Sequence, residues 1–202
     1  MATTTAMVKE LREMTGAGIL DCKKALDATD GDIDKAVTLL REKGAASAAK
    51  KVGREASDGL IEVYRHSGNT HGTCTLGVIV EVNCETDFVA RTEDFGTLAH
   101  NIALQVAASN PQWLSREDVP EDIVEAEKSV YRAEVADQGK PEHIVERIIE
   151  GKLNKFYQTN CLLEQESIRD DSVTIQQMIT NAIAKFGENI KIKRFARFQL
   201  GE

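Results

Sequence analysis

The sequence lacks the motifs that mark the common nucleotide-binding and hydrolytic enzymes. It has no G-x-x-x-x-G-K-[ST] loop, no G-x-G-x-x-G turn after a predicted strand and no G-x-S-x-G elbow. Glu62 and Glu81 are candidates for a carboxylate pair in a predicted hairpin, but carboxylates on a solvated sheet face are far commoner than acid–base pairs. We therefore expect a protein that is not an enzyme, with no catalytic residue and no cofactor of its own.

Long apolar runs and an excess of basic side chains are also missing. Without a long apolar run, no helix is expected to span a membrane, and residues 1–7 lack the basic and apolar blocks of a signal peptide. The 33 acidic side chains outnumber the 25 basic ones, which argues against general binding to phosphate backbones. We expect a cytoplasmic protein, or one of an organelle stroma or matrix, with neither a membrane nor a nucleic acid as direct partner.

The cysteines follow no metal-binding or redox spacing. Cys22, Cys74, Cys84 and Cys161 form no C-x-x-C pair, so free thiols in a reducing compartment are expected. A separate pair of histidines, at positions 66 and 71, flanks a Gly-rich turn. Because zinc usually takes about four clustered ligands, two histidines are too few, and we predict no metal site.

The first 44 residues have the pattern of three short helices. Apolar side chains recur at helical spacing over residues 5–14, 19–28 and 33–44, with glycines between the segments and at Gly44. Asp32 is placed to cap the third helix. Residues 45–57 are rich in Ala, Lys and Ser without an apolar face, and we interpret them as an exposed, partly helical linker.

Beyond the linker, the pattern changes to two strands, then helices, then a final strand. Residues 60–65 and 75–82 predict a hairpin whose second strand is central, and residues 189–200 alternate as a last strand. On one face of that strand we place Ile190, Ile192, Ala196, Phe198 and Leu200. The fold class is α+β, a three-stranded antiparallel sheet covered by helices on one face. The predicted domains are therefore residues 1–44, a linker 45–57 and a core 58–202.

Two segments resemble the signatures of a known family. Residues 11–26 read LREMTGAGILDCKKAL, and residues 81–91 read EVNCETDFVAR. Both match the elongation factor Ts family, in the right order and separation. The segments 140–152 and 193–201 are also similar, so the resemblance runs from about Ala6 to the end.

The resemblance implies a function in translation. Members of that family bind elongation factor Tu with GDP and accelerate GDP release, so that GTP can replace it. Their N-terminal domain is similar to the ubiquitin-associated three-helix fold and docks on the GTPase domain of Tu. By motif match, Arg12, Ile19, Leu20 and Lys23 fall at that contact. Thr86, Asp87, Phe88 and Val89 fall at a strand-to-helix turn that intrudes beside the nucleotide and displaces Mg²⁺.

The length of the chain implies a homodimer. Longer family members carry two related halves in the core, whereas this chain has one hairpin and one Thr-Asp-Phe motif, as in the short form. A half core leaves apolar sheet surface uncovered, so we predict a twofold homodimer and a complex of two Ts and two Tu chains. Some short forms link their subunits through a cysteine in the final strand, where this chain has Ala196, so that disulfide is excluded.

Three other interpretations stay open from the residues alone. Thr86 is also an ordinary helix cap, and Phe88 would then be a buried staple. The first 44 residues could belong to an adaptor that tethers a partner and ignores the nucleotide. A third reading, RNA binding through Lys191, Lys193, Arg194 and Arg197, conflicts with the acidic net charge.

Overall fold

The structure of the chain is a computed structural model that describes residues 3–67, 74–136 and 140–202. Within these ranges the chain forms eight α-helices, three β-strands and two short 3₁₀ turns. The helices are α1 (Thr5–Thr15), α2 (Ile19–Ala28), α3 (Ile33–Ala49), α4 (Asp87–Ala90), α5 (Glu93–Ser109), α6 (Glu121–Ala136), α7 (Glu142–Asn160) and α8 (Ile175–Phe186). The strands are β1 (Asp58–Ser67), β2 (Cys74–Cys84) and β3 (Lys191–Gln199). This order confirms the predicted α+β class.

Both ends of α1 and the start of α3 lie where the sequence indicates. Thr4 caps α1 by accepting a hydrogen bond from the backbone N–H of Met7. Gly16 ends α1 with a φ of 66°, in the left-handed region that glycine adopts without strain. Asp32 caps α3, as predicted, by accepting a hydrogen bond from the Lys35 N–H at 3.0 Å.

A small apolar core holds these three helices together. Its fully buried members are Leu11, Cys22, Ala25, Leu26 and Ala36. Three of the five are Ala or Cys, whose small side chains permit close packing of the helices, and larger side chains such as Ile33 and Leu40 pack against this core.

The third helix is longer than predicted. We expected it to end at Gly44, but α3 continues to Ala49. A Cβ on Gly44 would lie 3.3 Å from the Ala184 Cβ, so the missing side chain allows α8 to approach α3 closely. Ala48 and Ala56 are buried, so the segment predicted as an exposed linker has buried positions. The division into residues 1–44, 45–57 and 58–202 stays a prediction.

The sheet has the order β1-β2-β3, so the second strand of the hairpin is central, as predicted. The side chains of Val78, Val80 and Val82 are buried, while Ile79 between them is 45% exposed. One face of β2 is therefore covered, and the other face is exposed at Ile79. Both strands are longer than predicted, and residues 68–73 of the predicted loop, including His71, lie outside the described residues.

The last strand departs from the predicted stripe. Ile190 and Ile192 are buried, but Phe198 and Leu200 are each 71% exposed. Burial therefore follows the predicted alternation only at the start of the strand.

The chain divides into two compact units. The first comprises residues 1–60, 82–98 and 177–193, and the second comprises residues 61–81, 99–176 and 194–202. Each unit is therefore assembled from distant parts of the sequence. Among the helices of the described ranges, none is long and apolar enough to cross a lipid bilayer.

Candidate functional site

The predicted Thr-Asp-Phe-Val motif lies where β2 ends and the short helix α4 begins. Thr86 is the N-cap of α4, with extended backbone angles of −131° and 151°. Its hydroxyl oxygen accepts a hydrogen bond from the Val89 N–H at 3.4 Å. The turn is a strand-to-helix transition of the kind that the motif predicts.

Phe88 points away from the protein. Its side chain is 82% exposed, the largest exposed fraction among the large apolar residues that the structure describes. All four residues of α4 are described, and none of them is buried. The alternative interpretation of Phe88 as a buried staple is therefore wrong, because a staple packs against its own helix.

A carboxylate from a distant part of the chain holds the backbone of this turn. The Oε2 atom of Glu188 accepts hydrogen bonds from the backbone N–H groups of Glu85, at 3.0 Å, and Thr86, at 3.1 Å. The other oxygen, Oε1, accepts the Thr86 hydroxyl hydrogen at 2.6 Å. Charge-assisted hydrogen bonds of this kind are stronger than neutral ones, so the turn is fixed immediately before Phe88.

The Glu85 carboxylate in turn binds residues from other parts of the chain. The backbone N–H of Asn189 donates to Oε1 of Glu85 at 2.6 Å, and the Arg54 guanidinium lies 3.6 Å from the same oxygen. The buried side-chain amide of Asn189 donates to the carbonyl oxygens of Val52 and Arg54, at 3.2 and 2.7 Å. The segment that follows α3 is thereby bound to the same cluster as the turn.

Buried residues at the end of β2 support the turn from below. The Cys84 thiol donates to the Thr86 carbonyl at 3.2 Å, and the Asn83 amide donates to the Asp58 carbonyl at 3.1 Å. Burial raises the pKa of the Cys84 thiol, and the negative charge of Glu188 adds to the effect, so the neutral thiol is favoured. Gly59 has a φ of 143°, and any side chain there would collide with the Val82 carbonyl oxygen, so β1 can lie this close to the end of β2 only with glycine at that position.

Asp87 forms a local ion pair. Its carboxylate lies 2.9 Å from the Arg91 guanidinium, one helical turn further on, and both side chains are substantially exposed. Exposed pairs of this kind contribute little to stability. The Asp87 carboxylate therefore costs little to move to a different partner.

The four residues predicted on the N-terminal helices all lie at the protein surface. Arg12, Ile19, Leu20 and Lys23 are all exposed, on α1 and on the first turns of α2. Ile19 is 57% and Leu20 71% exposed, although the helical pattern placed Ile19 among the apolar positions of α2. Exposed neighbouring apolar residues on one small domain are typical of a contact surface for another protein.

The alternative carboxylate pair is not formed. Glu62 lies 2.8 Å from the His100 Nδ1 atom, and Glu81 lies 2.7 Å from the Arg194 guanidinium. Each carboxylate therefore has its own partner. Across the parts of the chain that the structure describes, no three His, Cys, Asp or Glu side chains are grouped to hold a metal ion.

Sequence reasoning missed Glu188, Asn189 and Arg54. These residues reach the turn from positions 31 to 104 residues away along the chain, so no local pattern connects them with it. One signal was present, since Gly187 predicts that α8 ends there and releases the next residues from the helix.

Comparison with known proteins agrees with the resemblance found in the sequence. The family model described as "Elongation factor TS" matches residues 3–202. A relative named elongation factor Ts from Fervidobacterium nodosum is 54% identical over the whole of both chains. Another of that name, from Caldanaerobacter subterraneus subsp. tengcongensis, is 55% identical over 96% of this chain and 95% of its own length. With the turn and the N-terminal helices formed as described, the chain belongs to the elongation factor Ts family of translation elongation factors.

Proposed function

We propose that the chain opens the nucleotide site of elongation factor Tu by inserting Phe88 beside the bound GDP and displacing Mg²⁺. Nucleotide exchange on Tu is the activity associated with the elongation factor Ts family. The observation that carries the finer proposal is the exposure of Phe88 at 82% on a turn whose backbone is hydrogen-bonded on both sides of Thr86. A phenylalanine ring exposed on a fixed turn can enter a partner's apolar pocket, where burying the ring is favourable.

The physical basis lies in how a GTPase holds its nucleotide. Backbone N–H groups, a lysine and a Mg²⁺ ion together neutralise the phosphates of GDP. Removing the metal leaves the phosphate charge less well compensated, so GDP leaves faster. Because binding is reciprocal, an exchange factor that weakens GDP binding is itself weakened by GDP to the same extent. The chain needs no reaction of its own to do this.

Each residue of the turn has a distinct part in the proposal. Phe88 is the apolar wedge, and Asp87 can exchange its exposed Arg91 partner for groups near the phosphates or the metal. Thr86 and Val89 hold the backbone, through the cap hydrogen bond that joins them. Phe88 and Asp87 would therefore enter the nucleotide site, while Thr86 and Val89 would keep the turn rigid.

Docking is assigned to the surface formed by Arg12, Ile19, Leu20 and Lys23. These residues combine two exposed apolar side chains with two basic ones, which suits an apolar groove with an acidic rim. Under this proposal residues 1–44 deliver affinity and the core, 58–202, carries the turn. An adaptor that only tethers a partner would need the first surface and not the second.

A homodimer is proposed from the open face of the sheet. Ile61 and Val63 of β1, Ile79 of β2 and Phe198 of β3 are exposed apolar side chains of the second compact unit. Exposed apolar side chains on all three strands favour an interface, and a twofold pairing would cover them with a second copy of the chain. Two Ts and two Tu chains would then form the complex. A compact monomer in sedimentation at micromolar concentration would contradict the proposed homodimer.

The direct test measures release of labelled GDP from purified elongation factor Tu at several concentrations of this chain. The saturating rate reports the opening of the site, and the half-saturating concentration reports docking. Phe88→Ala is expected to lower the saturating rate about a hundredfold, while Ile168→Ala, a matched change at another exposed apolar residue, leaves it unchanged. An unchanged release rate with Phe88→Ala would refute the role of Phe88. Binding without any acceleration by the unaltered chain would favour the adaptor.

A further inference from the structure

We propose that Glu188 is the positioning residue for the Phe88 turn, so that the saturating rate of GDP release depends on its carboxylate. This inference rests on the proposed function and adds to it a residue that touches neither the nucleotide nor the wedge. It follows from three hydrogen bonds, from Glu85 N–H, Thr86 N–H and the Thr86 hydroxyl, that converge on one side chain.

Apart from the Thr86 cap and the Cys84 thiol, the turn has few other contacts that hold it in one conformation. Helix α4 is four residues long, and all four are described with no buried side chain among them. A single helical turn is unstable by itself, because few internal hydrogen bonds compensate for the ordered backbone. The direction in which Phe88 points is therefore set by what binds the backbone just before it, and Glu188 binds that backbone.

The carboxylate reaches the turn because of how α8 ends. Gly187 adopts a φ of 77°, which reverses the chain and brings Glu188 out of the helix. The next residue then completes a reciprocal pairing, since the Asn189 N–H donates to the Glu85 carboxylate while Glu188 accepts from the Glu85 N–H. Residues 85–86 and 188–189 are thus joined by hydrogen bonds in which each segment supplies both a backbone donor and a carboxylate acceptor.

A carboxylate suits this position better than an amide. Both of its oxygens face donors, and the N–H groups of Glu85 and Thr86 share one of them. Glutamine has one acceptor oxygen and one NH₂ group, so it can keep the two backbone hydrogen bonds only by facing its NH₂ towards the Thr86 hydroxyl. Alanine keeps none of the three. The loss of function should therefore be graded, with alanine worse than glutamine.

The experiment measures GDP release from elongation factor Tu with Glu188→Gln and Glu188→Ala, each over a range of concentrations. We expect the saturating rate to fall about threefold for glutamine and about tenfold for alanine. The half-saturating concentration should change less than about twofold, because the docking surface is untouched. Glu150→Gln makes the same chemical change at an exposed position of α7 and should change neither quantity.

A second variant series separates positioning from a general loss of stability. If Glu188 acts only by aiming Phe88, then Glu188→Ala should lower the rate by less than about twofold in a Phe88→Ala background, against about tenfold in the unaltered chain. Effects that multiply would overturn the proposal. Amide hydrogen exchange supplies a readout independent of Tu: the N–H groups of Glu85 and Thr86 should exchange faster in both Glu188 variants, and unchanged protection would also overturn it.

The outcomes distinguish the role proposed for Glu188 from the proposed function on which it rests. If Phe88→Ala lowers the rate and the Glu188 variants do not, the role of Glu188 is refuted and the proposed function stands. If Phe88→Ala has no effect, the proposed function is refuted and the positioning role is refuted with it. Should Glu188→Ala fail to fold, the glutamine variant and its two readouts decide the question by the same criteria.

Discussion

The two exposed surfaces of the first compact unit are built in different ways. The residues proposed for docking on α1 and α2 belong to helices that pack around a small apolar core, which includes Leu11 and Leu26. Helix α4 at the Phe88 turn has no buried side chain, and the turn is held by hydrogen bonds to Glu188, by the Thr86 cap and by the Cys84 thiol. An apolar core fixes a whole face, whereas converging hydrogen bonds fix the direction of one short segment. The difference matches the tasks proposed for them, docking for the face and intrusion for the turn.

The largest expected effect comes from removing the support of the docking face. Leu11→Ala deletes a fully buried side chain from the small core, where substitutions of this type cost about 3 kcal/mol. We expect the free energy of unfolding, measured with urea, to fall by that amount and the half-saturating concentration in GDP release to rise. Val130→Ala, at a half-exposed position of α6, is the control. A drop in the saturating rate alone would mean that the core supports the turn and not the face.

The next largest effect concerns the polar support of the turn. Thr86→Val keeps the shape of the side chain but removes the hydroxyl that donates to Glu188 and accepts from Val89. We expect a loss of about 1–2 kcal/mol, seen as roughly a tenfold lower saturating rate of GDP release.

Thr86→Ser is the matched control, because serine retains the hydroxyl and both hydrogen bonds. A valine variant with the full saturating rate would show that the hydroxyl is not needed to aim the turn.

A smaller effect is expected on the docking face itself. Leu20→Ala removes most of an exposed apolar side chain without disturbing the core. If Leu20 is buried in the complex, the half-saturating concentration should rise about fivefold, with the saturating rate unchanged. Phe88→Ala should show the opposite division between the two quantities. Equal changes in both quantities for both variants would erase the contrast between docking and intrusion.

The smallest effect is a pH dependence at the base of the turn. Because burial raises the pKa of Cys84 above its ordinary value of 9.0, the folded state holds the thiol proton more tightly than the unfolded state. The stability that this thiol contributes is full below pH 9 and is lost as the pH rises above it. Urea unfolding at pH 8, 9 and 10 should show the decline, and Cys84→Ser, which keeps the donor without titrating in this range, should flatten it. An equal decline in the serine variant would assign the effect to other groups.

Much of the architecture could be predicted from local patterns. Gly16 and Asp32 mark helix ends that the structure reproduces, because left-handed backbone and side-chain caps depend on the residues at those positions. Gly44 shows the limit of the same rule. It does not end α3, because its lack of a side chain serves the close approach of Ala184 in α8. Local sequence does not distinguish a glycine that breaks a helix from one that lets another helix approach.

The sequence pattern indicates the exposed residues of the candidate site but not the residues that hold the turn in place. The motif identified Thr86 to Val89 because those residues are contiguous. Glu188 and Asn189 lie about a hundred residues further along the chain, and their contacts with the turn depend on the tertiary fold. A carboxylate after a helix-ending glycine has many possible partners, and only the folded chain selects among them. Support of this kind is therefore visible in structures and not in sequence patterns.

The most direct test of the central claim asks whether the Phe88 turn acts on the metal of elongation factor Tu. GDP release from Tu is measured with and without the chain, once in Mg²⁺ and once in excess EDTA, and the acceleration is compared. If the turn displaces Mg²⁺, the acceleration should be at least about tenfold smaller in EDTA, where the metal is already gone. For Phe88→Ala this difference should shrink. An acceleration that is equally large with and without Mg²⁺ would contradict the account.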